Sequence, residues 1–116
     1  MIVHVVLFEP RDDLSQSERT KLVADLRHAA AAIPEIRRFR IGARIHHGLP
    51  GYEQAMRVNY QYAAIMEFDD RRSLEAYLRH PAHAAIGEHF TASAANALAY
   101  DFEMTDAAGA DAARFA

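Results

Sequence analysis

A chain of 116 residues, 51% hydrophobic and 25% charged, has the make-up of one small globular domain rather than a disordered segment or a multidomain protein. Its formal net charge of −3 argues against a nucleic-acid or anionic-membrane footprint. With no cysteine, disulfides, thiol catalysis and thiolate metal sites are excluded.

Residues 2 to 8 are β-branched and aromatic, are bounded by Glu9 and Pro10, and read as a strand. The stretch is too short to span a membrane and lacks the basic leader of a signal peptide, so a cytoplasmic protein is expected. Ile2, His4, Val6 and Phe8 share one face, and Val3, Val5 and Leu7 the other. Both faces are apolar apart from His4, so the strand must be covered twice. Ser15 or Ser17 can cap the next helix, with Glu18 in capping-box spacing to Ser15. Leu22, Leu26, Ala29, Ala30 and Ile33 recur at helical intervals, and Pro34 ends that helix.

Residues 36 to 47 alternate. Phe39, Ile41, Ala43 and Ile45 oppose Arg38, Arg40, Gly42, Arg44 and His46, as in a half-exposed strand at a sheet edge. The arginine row is a solvated strand face, or an attractor for an anionic substrate. Gly48-Leu49-Pro50-Gly51 breaks the strand, and residues 52 to 58 form a polar loop long enough for a lid. Tyr60 to Phe68 is a third strand, with Tyr60, Tyr62, Ala64, Met66 and Phe68 on one face. Asp69 or Asp70 caps a short helix in which Leu74, Tyr77 and Leu78 share a face. After Pro81 a second helical stretch runs through Ile86, Phe90 and Ala94 toward Ala97. Leu98 to Met104 is then the last strand, and the tail from Thr105 is frayed.

The order β-α-β-β-α-β defines an α+β, ferredoxin-like fold, with one four-stranded antiparallel sheet and helices on one face. The uncovered face would leave a large apolar patch in water, so a homodimer through the sheet face is expected. The aromatics Tyr60, Tyr62, Phe68, Tyr100 and Phe102 lie on strands that could line the space between two such sheets.

The chemistry concentrates around a proline. His80 precedes Pro81 and is biased away from helical angles, while Pro81 suits the first turn of a new helix. The resulting bend can aim Tyr77 and His83 at the same space. His83 has the residue type of a general base acting next to a carbonyl, because imidazole titrates near neutral pH. Tyr77 would orient it or donate to the carbonyl oxygen. The competing reading makes Tyr77 a core residue and His83 a hydrogen-bonded bridge across the break. His80 reads as a helix-end residue, stabilised as a partial cation by the dipole. A metal site from His80 and His83 straddles the proline and lacks a carboxylate, so no metal ligand is assigned. His4 is an interior or interface histidine, and becomes a substrate contact if it shares a cavity with His83. His46 and His47, as neighbours in a strand, would point to opposite faces and not chelate together.

The run Tyr77-Leu78-Arg79-His80-Pro81-Ala82-His83 closely resembles the signature of the stress-responsive α/β-barrel (Dabb) family. Val3 to Phe8, Met66 to Asp70 through Leu74, and Tyr100-Asp101-Phe102 match its other anchors. The resemblance implies a Dabb domain over residues 1–104, followed by a flexible tail over 105–116. It also implies a dimeric α/β barrel, no cofactor, and a stress-response role or the binding of a small hydrophobic or aromatic molecule. Most members have no assigned reaction. One plant member, olivetolic acid cyclase, closes a linear polyketide by an aldol-type step; its catalytic tyrosine and histidine correspond to Tyr77 and His83, and His4 matches a first-strand histidine. A third-strand pocket histidine is replaced here by Tyr62. The resemblance thus implies Tyr77 and His83 as catalytic candidates in a cofactor-independent cyclase or lyase. Residues His4, Tyr62 and Phe68 are the candidate substrate contacts. A third reading is the related antibiotic-biosynthesis monooxygenase group, of the same dimeric architecture; the lack of tryptophan and the Tyr-x-x-His-Pro-x-His motif count against it.

Overall fold

A computed structural model describes residues 1–115. In chain order it contains β1 (Ile2–Pro10), α1 (Gln16–Ala32), β2 (Arg38–Ala43), β3 (Tyr62–Phe68), α2 (Arg71–Arg79), α3 (Pro81–Ser93) and β4 (Ala94–Glu103). Short 3-10 turns occupy Glu53–Ala55, Ala107–Gly109 and Ala112–Phe115. The strands form one antiparallel sheet in the order β2-β3-β1-β4. This is the ferredoxin-like arrangement, with its second helix divided in two at Pro81. No helix among the described residues is long and apolar enough to cross a membrane.

Local chemistry accounts for the element ends. Ser15 caps α1, accepting from the Glu18 N–H while the Glu18 carboxylate accepts from the Ser15 N–H, a complete capping box. Asp70, not Asp69, caps α2 through the Ser73 N–H. All four strands differ from expectation at an end: β1 runs on to Pro10, and β3 begins at Tyr62 rather than Tyr60. β2 ends at Ala43, and Gly48 and Gly51 turn the following loop with φ of 74° and 85°. β4 begins at Ala94 rather than Leu98, because β1 runs on to Pro10 and ladders with β4 down to Ala94. Pairing with β1 overrides the helix preference of this alanine-rich stretch.

The sheet register divides the side chains. Ile2, His4, Val6 and Phe8 of β1 face the helices with Ala64, Met66 and Phe68 of β3. Over them pack Leu22, Leu26, Ala29 and Ile33, with Leu74, Tyr77, Ala82 and Ile86. Ala30 lies outside this core, exposed on the far side of α1. The opposite face carries Val3, Val5, Leu7, Ala63, Ile65, Leu98, Tyr100 and Phe102 and is covered by no helix among the described residues. Tyr100 and Phe102 remain 59% and 50% exposed there. The strand aromatics therefore do not share one space. Phe68 and Tyr62 lie on the helix face, Tyr100 and Phe102 on the open one.

Candidate functional site

His4 and Asp101 are direct cross-strand neighbours on β1 and β4, so their side chains rise together on the helix face. His4 Nδ1 lies 2.6 Å from Asp101 Oδ1. The carboxylate accepts, so Nδ1 carries the proton and the second ring nitrogen is left for a ligand. His4 is 5% exposed; its partner sits nearer the rim.

Tyr77 comes down onto this pair from α2. Its ring is 1% exposed and meets His4 edge-on at 5.5 Å between centroids, with Phe68 on another side at 5.3 Å. His83, two residues into α3, meets the same tyrosine ring at 4.7 Å.

The break between α2 and α3 sets the orientation of His83. Pro81 has no N–H, so the Tyr77 carbonyl takes the His80 N–H instead. The Ala82 N–H goes to His80 Nδ1 at 3.0 Å, which leaves the Leu78 carbonyl without its usual helical donor. His83 Nδ1 donates to that carbonyl at 3.1 Å. Because a carbonyl can only accept, the imidazole proton is on Nδ1 and Nε2 bears the lone pair. His80 is thus C-cap of α2 and N-cap of α3 at once. Its ring accepts through Nδ1, which corrects the expectation of a cation against the helix dipole.

The electrostatics suit proton transfer. Burial pushes the His83 imidazole below its ordinary value of 6.5; the Leu78 contact and Asp101 pull upward, His4 downward, and burial prevails. The Tyr77 phenol is held well above its ordinary value, first by burial and then by the Asp101 charge, and stays protonated. A neutral base and a neutral donor therefore stand ring to ring.

A cavity of about 430 Å³ lies between helices and sheet, with His4, Tyr77, His83 and Asp101 in its wall and Met66, Ile86 and Phe90 among its apolar lining. Of the residues singled out from the sequence, Tyr77, His83 and His4 come together here. Tyr62 instead lines a second cavity of about 340 Å³, and Phe68 lines neither, being packed behind Tyr77. Asp101 was missed as a site residue. Strand order alone does not reveal it; only the observed β1–β4 register sets residue 101 opposite residue 4.

The arginine row lies away from this cavity. Arg38 and Arg40 flank Glu67 at 3.9 and 4.0 Å, and Arg44 bonds Asn59 at 2.6 Å. His46 and His47 fall beyond the end of β2, so they are free to turn the same way. Both approach the Glu53 carboxylate, at 2.7 and 3.7 Å, which also accepts the Gly48 N–H. That N–H, with His46, holds the Glu53 carboxyl below the usual range.

A family model described as the stress responsive A/B barrel domain (Dabb) matches residues 2–104. The chain belongs to this family. No curated protein matches it. Among solved structures it is similar to a dimeric ferredoxin-like protein of unknown function from Jannaschia sp. CCS1, at 28% identity over 89% of this chain and 98% of that one, TM-score 0.70. A dimeric ferredoxin-like protein of unknown function from Thermobifida fusca YX is 26% identical over 89% and 90% of the two chains, TM-score 0.69. A hydroxynitrile lyase from Passiflora edulis shares the fold at 13% identity, over 90% and 94% of the chains, with a TM-score of 0.77.

Proposed function

We propose that this protein is a homodimeric, cofactor-independent lyase or cyclase that binds a small, largely apolar carbonyl compound and moves a proton beside its carbonyl. The observation that carries the reading is the single cavity walled by a neutral His83, a protonated Tyr77 and the His4–Asp101 pair. Tyr77 is also buried core and His83 also bridges the proline break, as a packing role would have it; the open space beside them is what favours chemistry. In the reaction, His83 Nε2 takes a proton from the carbon next to the carbonyl. The electron pair moves into the new carbon–carbon double bond, and negative charge collects on the carbonyl oxygen. Tyr77 donates to that oxygen, while the His4 ring, held by Asp101, offers a second contact. The enolate can then add to a second carbonyl of the same molecule, or reprotonate. The fold also carries a lyase in Passiflora edulis, an analogy of architecture alone.

Deuterium uptake from heavy water beside the carbonyl of a medium-chain β-diketone, followed by NMR, tests the reading. Wild-type protein should exceed the buffer rate, and His83→Gln should lower the excess by about 10²- to 10⁴-fold. No uptake above buffer, with His83→Gln changing only stability, would leave a binding protein without catalysis.

A further inference from the structure

The second cavity adjoins the reactive one. Val6, Leu26, Ala64 and Phe90 line both it and the reactive cavity. Val6 and Ala64 are cross-strand neighbours in the floor, and Leu26 and Phe90 come from α1 and α3 in the roof. The two spaces adjoin at these four residues, under α1 and α3, and together define a cleft. It starts at His4 and His83 and continues past Phe8 to Pro10 and the ends of β2 and β3. The run from His4 to Phe8 alone spans roughly 13 Å at the ~3.3 Å rise of a strand residue, the length of a medium-chain acyl group.

The remote chamber is walled by Phe8, Leu14, Leu22 and Val23, and its one charged lining residue is Arg19. Five other arginines pair with carboxylates: Arg11 with Asp13 and Glu18, Arg37 with Asp69, Arg38 and Arg40 with Glu67, Arg71 with Glu75. Arg27, Arg57, Arg72 and Arg79 have no such pair among the described residues, but they line neither cavity. Arg19 has no carboxylate within ion-pair distance among the described residues, and is only partly exposed. An arginine in an otherwise apolar wall and without a carboxylate partner can turn its guanidinium toward an anion held there.

We propose that the cleft takes a medium-chain amphiphile whose apolar chain lies between helices and sheet and whose anionic end meets Arg19, remote from His83. The inference rests on the proposed function in naming that cleft's substrate class, but chain and anion binding need no catalysis. The aliphatic positions grip the chain, Phe90 at the junction of the chambers packs over it, and Arg19 fixes which end enters first.

Calorimetric titration of the whole protein with decanoate and with decanol, both kept below aggregation, tests this. Decanoate should bind about tenfold more tightly than decanol. Arg19→Gln should remove that preference while leaving decanol affinity unchanged, Arg19→Lys should restore part of it, and Val23→Phe, which narrows the chamber, should weaken both ligands. His83→Gln should leave the preference intact. Equal affinity for acid and alcohol, or no binding of either, overturns the proposal. So does a preference that survives Arg19→Gln and vanishes in His83→Gln, since the anion would then sit at the reactive end. A failed deuterium exchange with a preserved Arg19-dependent preference would reject the catalytic reading and leave this one standing.

Discussion

At the scale of single residues, His83 and Asp101 make the sharpest claims. Burial lowers the His83 imidazole below 6.5, so the native chain holds that proton less readily than the unfolded chain. The stability linked to this group is complete above pH 6.5 and is lost as pH falls through 6.5 toward the lowered native value. The base is neutral above that native value, so kcat/KM should rise with pH to a plateau reached near or below pH 6.5. A rate profile from pH 5 to 8 checks this, and denaturation of His83→Gln over the same range should show a weaker acid loss than wild type. Asp101→Ala removes the acceptor from a buried His4 N–H and should lower stability by about 1–3 kcal/mol in urea unfolding. It should lower deuterium uptake as well. Tyr77 separates packing from chemistry. Tyr77→Ala should lose about 3–5 kcal/mol, whereas Tyr77→Phe keeps the ring against Phe68 and should lose mainly rate. Tyr77, His83 and His4 were legible from the sequence because the proline break and the strand alternation place them. Asp101 was not, because its partner lies 97 residues away and only the strand register joins them.

At the scale of elements, the α2–α3 break is a working part of the site. His80 accepts the Ala82 N–H, and this is what frees the Leu78 carbonyl for His83. His80→Ala should lose about 1 kcal/mol as an N-cap and let the Ala82 N–H compete for Leu78, so His83 loses the contact that fixes its tautomer. His80→Asn should keep both. Thermal unfolding paired with deuterium uptake distinguishes a plain cap, where only stability moves, from this coupled one. Elements with local signals were readable in advance: the Ser15–Glu18 capping box, the Pro34 stop and the period-two pattern of β3. The start of β4 was not, since nothing local in Ala94 to Ala97 separates helix from strand; Phe8, Glu9 and Pro10 across the ladder decide it. The end of β2 at Ala43 has the same origin, because the apolar alternation continues to Ile45 after its partner strand has run out.

At the scale of the molecule, the open sheet face remains. Val3, Val5, Leu7, Ile65 and Leu98 are only half-covered, and Tyr100 and Phe102 stand out from β4 with their rings 6.4 Å apart. Glu67 lies on the same face between Arg38 and Arg40, and its Oε2 is buried without a hydrogen-bond partner. A patch of this kind, apolar at the centre and charged along one strand, has the anatomy of an interface core with a polar rim. The face lies on the side of the sheet away from the helices and the cleft, so a second copy can dock without disturbing the cleft. Light scattering coupled to size exclusion should therefore give a dimer at micromolar concentration. Val5→Arg sets a charge in the middle of the face, away from His83 and from Arg19, and should give a folded monomer. If the cleft is complete within one chain, that monomer should still bind decanoate in preference to decanol. A variant that stays dimeric would show that the copies meet through some other surface, and a monomer that loses the preference would show that the partner helps to build the cleft.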